Sequence, residues 1–385
     1  LALIVVIPAV IATHKFIPES PVKTPAKIDW GGAALLSGGL ASLLIAVSGN
    51  DPLATFGRIF ERSMGTVGAW SDTMIAATPL LLTGLAAAAA FKMGLFNIGG
   101  QGQFVLGAVA ASGVGLALEG VSGWVSIPLM ALAGMVAGGL WAAIPGFFKV
   151  RFGTNEVITT LMLNYVAANI ASYLIFGSES FWRLLTGSGK VFPQGRPLAE
   201  DAVWPAFGGS GFSVPLGFIL GCVAAAALWA LYRYTRFGFE IGVVSDSQEA
   251  ANYAGINVRR TGLAIMTLSG ALAGLGGASD VGDIRHVLDP KGLGQSGYGY
   301  TGIVVAALAR WNPLAVVPVS ILLGALANAG RSLQGATFSA GLVGTLQGLL
   351  LFCAVSGEFL TRYRVRFGKV RPATVAKSGA EVTAA

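Results

Sequence analysis

Sorting the chain into apolar and polar positions gives ten apolar runs separated by short polar breaks. They are Gly31–Gly49, Thr73–Phe91, Gln103–Leu118, Ser126–Phe148, Glu156–Phe176, Ser213–Tyr232, Thr261–Val281, Ser296–Ala309, Pro313–Gly330 and Phe338–Gly357. A crossing helix needs roughly 20 apolar residues. The pattern therefore predicts an all-α polytopic membrane protein with about ten transmembrane helices, two of them short. Leu1–Ala12 is apolar but too short to span, and no basic segment precedes it as a signal peptide requires. It reads as an interfacial or truncated helix within an N-terminal segment, residues 1–30.

Two of the breaks match. "GLFNIGGQGQFVLGA" (Gly94–Ala108) follows an inward run and precedes three crossings. "GLGQSGYGYTGIVVA" (Gly292–Ala306) follows an outward run and again precedes three. Gly100-Gln-Gly-Gln stands against Gly297-Tyr-Gly-Tyr, each opening a short apolar helix. The halves, about 73–176 and 261–357, thus read as one unit repeated in opposite orientation. Inverted repeats with glycine-broken helices are a transport architecture, with the solute pathway at the repeat interface. Glycines also serve close helix contact, which is the reading for "GALAG" (Gly270–Gly274).

Composition fits this reading. The chain is 54% hydrophobic and only 11% charged, with a mean hydropathy of +0.71, where soluble domains carry about 25% charged residues. The net charge of +7 suits cytoplasmic loops rather than nucleic acid. With both termini in the cytoplasm, 17 of the 25 Lys and Arg residues fall inside, six of them in the tail 358–385, and eight outside. That is the asymmetry expected of the positive-inside rule. Gly177–Phe212 then lies outside, and the permeation domain covers 31–357.

Candidate chemistry is mostly excluded. "TGSGK" (Thr186–Lys190) lacks the glycine and the Ser/Thr that a P-loop needs, and "GYGYTG" (Gly297–Gly302) has no preceding strand. His14 and His286 are isolated, so no metal site is expected. At or next to the ends of the runs stand the ionisable residues Glu156, Arg310 and Glu358. A charge at the bilayer centre costs roughly 2.5–3.5 kcal/mol, a cost that proton-coupled carriers accept in order to work. Energy for uphill movement is expected from elsewhere. The cytoplasmic loop 233–260 offers an entry: in "SDSQEAANYAGI" (Ser245–Ile256), Ser245 and Gln248 have the spacing of a capping box, and Gly255 is a natural stop. A helix of about two turns fits between them.

That loop's Glu249-Ala-Ala-x-x-x-Gly255 resembles the EAAxxxG coupling loop of ABC importer permeases. "GLFNIGGQGQ", "GTNEVITTLMLNY" (Gly153–Tyr165), "TRFGFEIGVV" (Thr235–Val244), "SGALAGLGGA" (Ser269–Ala278) and "GYGYTGIVVAALA" (Gly297–Ala309) are similar to signatures of the nucleoside/simple-sugar branch of the branched-chain-amino-acid-type permeases. The resemblance runs from about Asn50 to Gly357. One departure is Gln101, where the family usually has Glu.

The resemblance implies a permease in the cell membrane without an ATPase site or catalytic residues of its own. It implies three partners: a cytoplasmic ABC ATPase that holds ATP-Mg, a second permease subunit or a second copy, and an extracytoplasmic binding protein. The "EVITTLMLNY" form leans toward nucleosides. ATPase coupling is expected at Ser245, Gln248, Glu249, Ala250, Ala251 and Gly255. A path for neutral, hydroxyl-rich solutes needs hydrogen-bonding groups without fixed charge. Asn97, Gln101, Gln103 and Asn164 supply them, with Tyr298 and Tyr300 as aromatic neighbours. Amides that instead tie the two halves together are the alternative for these positions. A secondary transporter or channel for a neutral polar solute is the alternative function.

Overall fold

The computed structural model describes residues 30–47, 49–209, 211–333 and residues 345, 348 and 349. The predicted Phe338–Gly357 crossing, Leu1–Ala12 and the tail lie outside them. The chain divides into two compact units, 1–39 with 352–385, and 40–351. Apart from the first ten residues of the first helix below, everything that follows belongs to the second.

The described residues are mostly helical: α1 Trp30–Val47, α2 Pro52–Met64, α3 Val67–Phe91, α4 Gly100–Ala117, α5 Gly123–Phe152, α6 Glu156–Ser172, α7 Leu216–Tyr234, α8 Arg236–Asp246, α9 Gln248–Tyr253, α10 Val258–Ser279, α11 Pro290–Ser296, α12 Tyr298–Leu308 and α13 Pro313–Ser332. Two π-turns, Tyr173–Gly177 and Asp280–Arg285, extend α6 and α10. The strands Ala206–Phe207 and Val214–Pro215 pair antiparallel in the long polar loop.

Six of these segments are long and apolar enough to cross a membrane: Val67–Phe91, Gly123–Phe152, Glu156–Gly177, Leu216–Tyr234, Val258–Arg285 and Pro313–Ser332. The short runs after the two breaks are the helices α4, 18 residues, and α12, 11 residues, neither of which is among these six. Helix starts follow side-chain chemistry. Thr66, Asn155, Asn257 and Asn312 each accept from a backbone N–H of the first turn that has no partner within the helix. At its other end α5 stops at Gly153, whose φ of +68° only glycine adopts without strain.

The spans are held by small residues. Gly134 and Gly138 of α5 lie backbone to backbone against Gly270 and Gly274 of α10, and Gly107 of α4 meets Gly274 from the other side. Gly277 faces the Phe104 carbonyl in the same way. In lipid, where apolar surface gains nothing by moving from tails to protein, such close approach is what drives helix association. α3 is enclosed along most of its length, whereas α5, α6 and α7 keep most of their surface open.

Candidate functional site

Helix α3 ends at Phe91, and the chain turns through Gly94 at φ +79° before α4 begins at Gly100. Across from it, α11 ends at Gly297, φ +58°, and α12 begins at Tyr298. Both new helices start at a glycine with no side-chain cap, so their first N–H groups lack partners within the helix. The sequence brings these two starts together. A Cβ on Gly299 would overlap the Gln101 backbone, and Gly100 stands within van der Waals reach of Gly299.

The amides supply the missing partners from a distance. Gln101 Nε2 donates to the Leu293 carbonyl at 2.8 Å, and Gln101 Oε1 accepts from the Gly299 N–H at 2.8 Å. Asn164 Oδ1 accepts from the Gly102 N–H at 2.7 Å, while its Nδ2 donates to the Ile98 carbonyl at 3.0 Å and reaches the Tyr300 hydroxyl at 3.2 Å. Asn97 and Gln103 form a reciprocal amide pair, 2.9 Å each way. Asn97 Nδ2 also donates to Ser269 Oγ at 2.9 Å, and that hydroxyl donates to the Ala86 carbonyl at 2.6 Å. Asn97, Gln101, Gln103 and Asn164 are all buried. Tyr298 is half-buried with its ring edge-on to Phe104, while Tyr300 is 42% exposed. Gln101, Asn164 and Tyr300 are thus joined across the two breaks by hydrogen bonds, Asn97 and Gln103 tie the first break to Ser269 of α10, and Tyr298 is joined by backbone and ring. Among them Tyr300 presents the most open polar surface.

Two partners of this junction were not singled out from the sequence. Thr83 Oγ1 lies 3.0 Å from the Tyr298 carbonyl, and Ser269 sits beneath Asn97. A hydroxyl inside an apolar run gives no signal of its own. The inventory of charges in the spans is also larger than the sequence reading allowed. The π-turn carries α10 on to Arg285, so Asp280, Asp283 and Arg285 belong to that span.

On the loop side, Ser247 rather than Ser245 caps the coupling helix. α8 runs on through Ser245, and Ser247, in extended backbone, accepts from the Ala250 N–H at 3.2 Å. Gly255 is the expected stop, with φ +75° and its N–H on the Asn252 carbonyl. Ala251 is buried, whereas Gln248, Glu249, Ala250 and Tyr253 are exposed. A 260 Å³ cavity joins Gln248 and Asn252 of α9 to Met93 and Leu95 of the first break and to the Lys149–Glu156 ion pair, 2.8 Å. Asn155 caps α6, and Glu156 beside it serves Lys149. No group of three metal-ligating side chains occurs among the described residues.

The family model described as branched-chain amino acid transport system / permease component matches residues 70–355. A glucose ABC transporter permease protein of Haloferax volcanii is 34% identical, covering 86% of this chain and 87% of its own. A guanosine ABC transporter permease protein of Bacillus subtilis is 34% identical over 76% of this chain and 82% of its own. A nucleoside ABC transporter permease protein of Lactococcus lactis subsp. cremoris is 29% identical over 74% and 79%.

Proposed function

Because the chain belongs to the branched-chain amino acid transport system / permease component family, we propose that it forms the inward path for a nucleoside or a simple sugar. It is a multi-pass ABC transporter permease subunit, not an enzyme, and ATP hydrolysis sits on a separate subunit. The junction of the two breaks carries the substrate reading. Two helix starts meet in a cluster of neutral amides and tyrosines with no formal charge among them, as a neutral solute rich in hydroxyls requires. The relatives named for glucose and guanosine support the same class. Asn97, Gln101, Gln103 and Asn164 hold the two starts in place beside the path, and Tyr298 and Tyr300 face the solute.

The architecture is about ten crossings in two inverted halves. The supporting feature is the parallel order of α3, break and α4 on one side and α10, break and α12 on the other. Both termini face the cytoplasm. In a background with Cys222 and Cys353 replaced by Ser, a cysteine at Val191 is expected to react with an impermeant maleimide added to intact cells. One at Tyr253 is expected to react only after lysis. Both positions are strongly exposed, so the opposite pattern inverts the topology.

The ATPase, carrying ATP-Mg, grips α9; a second permease subunit or copy and an extracytoplasmic binding protein complete the importer. The cavity between α9 and Leu95 supports a grip that is felt next to the first break. Gly255→Pro cannot adopt φ +75° and removes the N–H that closes the helix. Solute-stimulated ATP hydrolysis by the assembled importer is expected to fall at least tenfold while membrane insertion stays intact. Normal stimulation would reduce this loop to a connector.

A further inference from the structure

The π-turn that ends α10 holds polar groups that no part of the junction uses. Asp280 is completely buried; its Oδ2 accepts from Arg285 Nε at 2.6 Å, while Oδ1 has no partner. Asp283 Oδ2 accepts from Ser279 Oγ at 2.7 Å and from the Gly217 N–H at 3.0 Å, and its Oδ1 is likewise open. Arg285 also donates to Asp289 at 3.2 Å, lying so tightly over Gly292 that a Cβ there would overlap it. It thereby pins the segment whose Leu293 carbonyl takes the Gln101 amide. That segment leads through Gly297 directly into Tyr298 at the start of α12.

A buried carboxylate oxygen without a donor is costly inside a membrane protein, and ionisable groups at that depth mark functional sites. π-turns within helices are frequent at such sites. The arrangement does not suit a cation: Arg285 already offsets Asp280, and no three-ligand group exists among the described residues. It suits hydroxyl donors: open carboxylate acceptors and a guanidinium donor lie on one π-turn, and a tyrosine ring follows the segment that Arg285 pins.

We propose that Asp280, oriented by Arg285, together with Tyr298, recognises vicinal hydroxyl groups of the transported solute on the outer side of the break junction. This rests on the nucleoside or sugar reading above and adds to it the groups that are read. In the present conformation Asp280 Oδ1 is sealed, so the contact forms in a state in which the Asp289–Gly297 segment shifts.

The test is uptake into proteoliposomes carrying the complete importer, with guanosine, uridine and glucose as probes, each paired with its 2-deoxy and 3-deoxy counterpart. Asp280→Asn is expected to lower uptake efficiency for the fully hydroxylated solute about tenfold or more, while uptake of at least one deoxy counterpart changes less than twofold. Tyr298→Phe keeps the ring on Phe104 and is expected to give a smaller loss of the same selective kind. It decides the matter if Asp280→Asn does not yield a monodisperse complex. Equal losses for both members of a pair, or no loss, would overturn the proposal and leave the transport reading standing. A wild-type importer that accumulates none of the probes sinks the solute class itself, and this inference with it.

Discussion

Gly274→Val is expected to abolish the folded permease. Any Cβ on Gly274 would run into the Gly134 backbone carbonyl and approach Gly138 Cα at 2.9 Å. Backbone atoms of a crossing helix cannot rotate away as a flexible side chain can. The only relief is to separate α5 from α10, and α4 leans on the same residue through Gly107. Overfilling a close-packed interior typically costs 1–3 kcal/mol, and here three helices must move together. Fluorescence-detected size exclusion is expected to show at least a tenfold loss of monodisperse protein. Gly242→Val, where nothing lies within 4 Å of the added carbon, is the control and should stay within twofold of wild type. A normal peak for Gly274→Val would mean that α5 and α10 do not cross at these glycines.

What was legible in the sequence follows from where its signals are local. Apolar runs and glycine stops are read along the chain, so six crossings and the stop at Gly255 could be placed without coordinates. The Gly94–Gln103 and Gly292–Gly302 breaks were visible for the same reason: glycine and neutral amides stand out in an apolar context. Their contact was not, because Gln101 and Gly299 are 198 positions apart. The cap of the coupling helix was misplaced by two residues. Ser245 and Ser247 both precede the alanines, and only the continuation of α8 through Ser245 decides between them. Of the charges on the Asp280–Arg285 turn, Asp283 and Arg285 fell beyond the Thr261–Val281 run because hydropathy drops there, and Asp280, inside it, was not singled out; the helix itself goes on through all three as a π-turn. A local average cannot see a helix that continues through acids held by Arg285, Ser279 and the Gly217 N–H.

The last expected result concerns the amide that the first break contributes to the second. Gln101→Leu keeps similar bulk but strips both hydrogen bonds, leaving the Gly299 N–H buried without a partner and the Leu293 carbonyl with the Ser296 hydroxyl alone. An orphaned buried N–H of this kind costs about 1–3 kcal/mol, and every ~1.4 kcal/mol is a factor of ten in an equilibrium. Water cannot easily step in: Gln101 is only 6% exposed, and the glycine on the facing helix leaves no gap for it. Solute uptake by the assembled importer is therefore expected to fall at least tenfold, with a lower melting temperature for the solubilised permease. Gln101→Glu separates hydrogen bonding from mere size. A protonated carboxyl repeats both bonds, its O–H donating to the Leu293 carbonyl and its C=O accepting from the Gly299 N–H. That variant, the residue usual at this position in the resembling permeases, is expected to retain uptake within about threefold of wild type, a difference worth under ~1 kcal/mol. If Leu performed as well as Glu, the two breaks would be held by shape alone, and the amide would carry no weight in joining the helix starts.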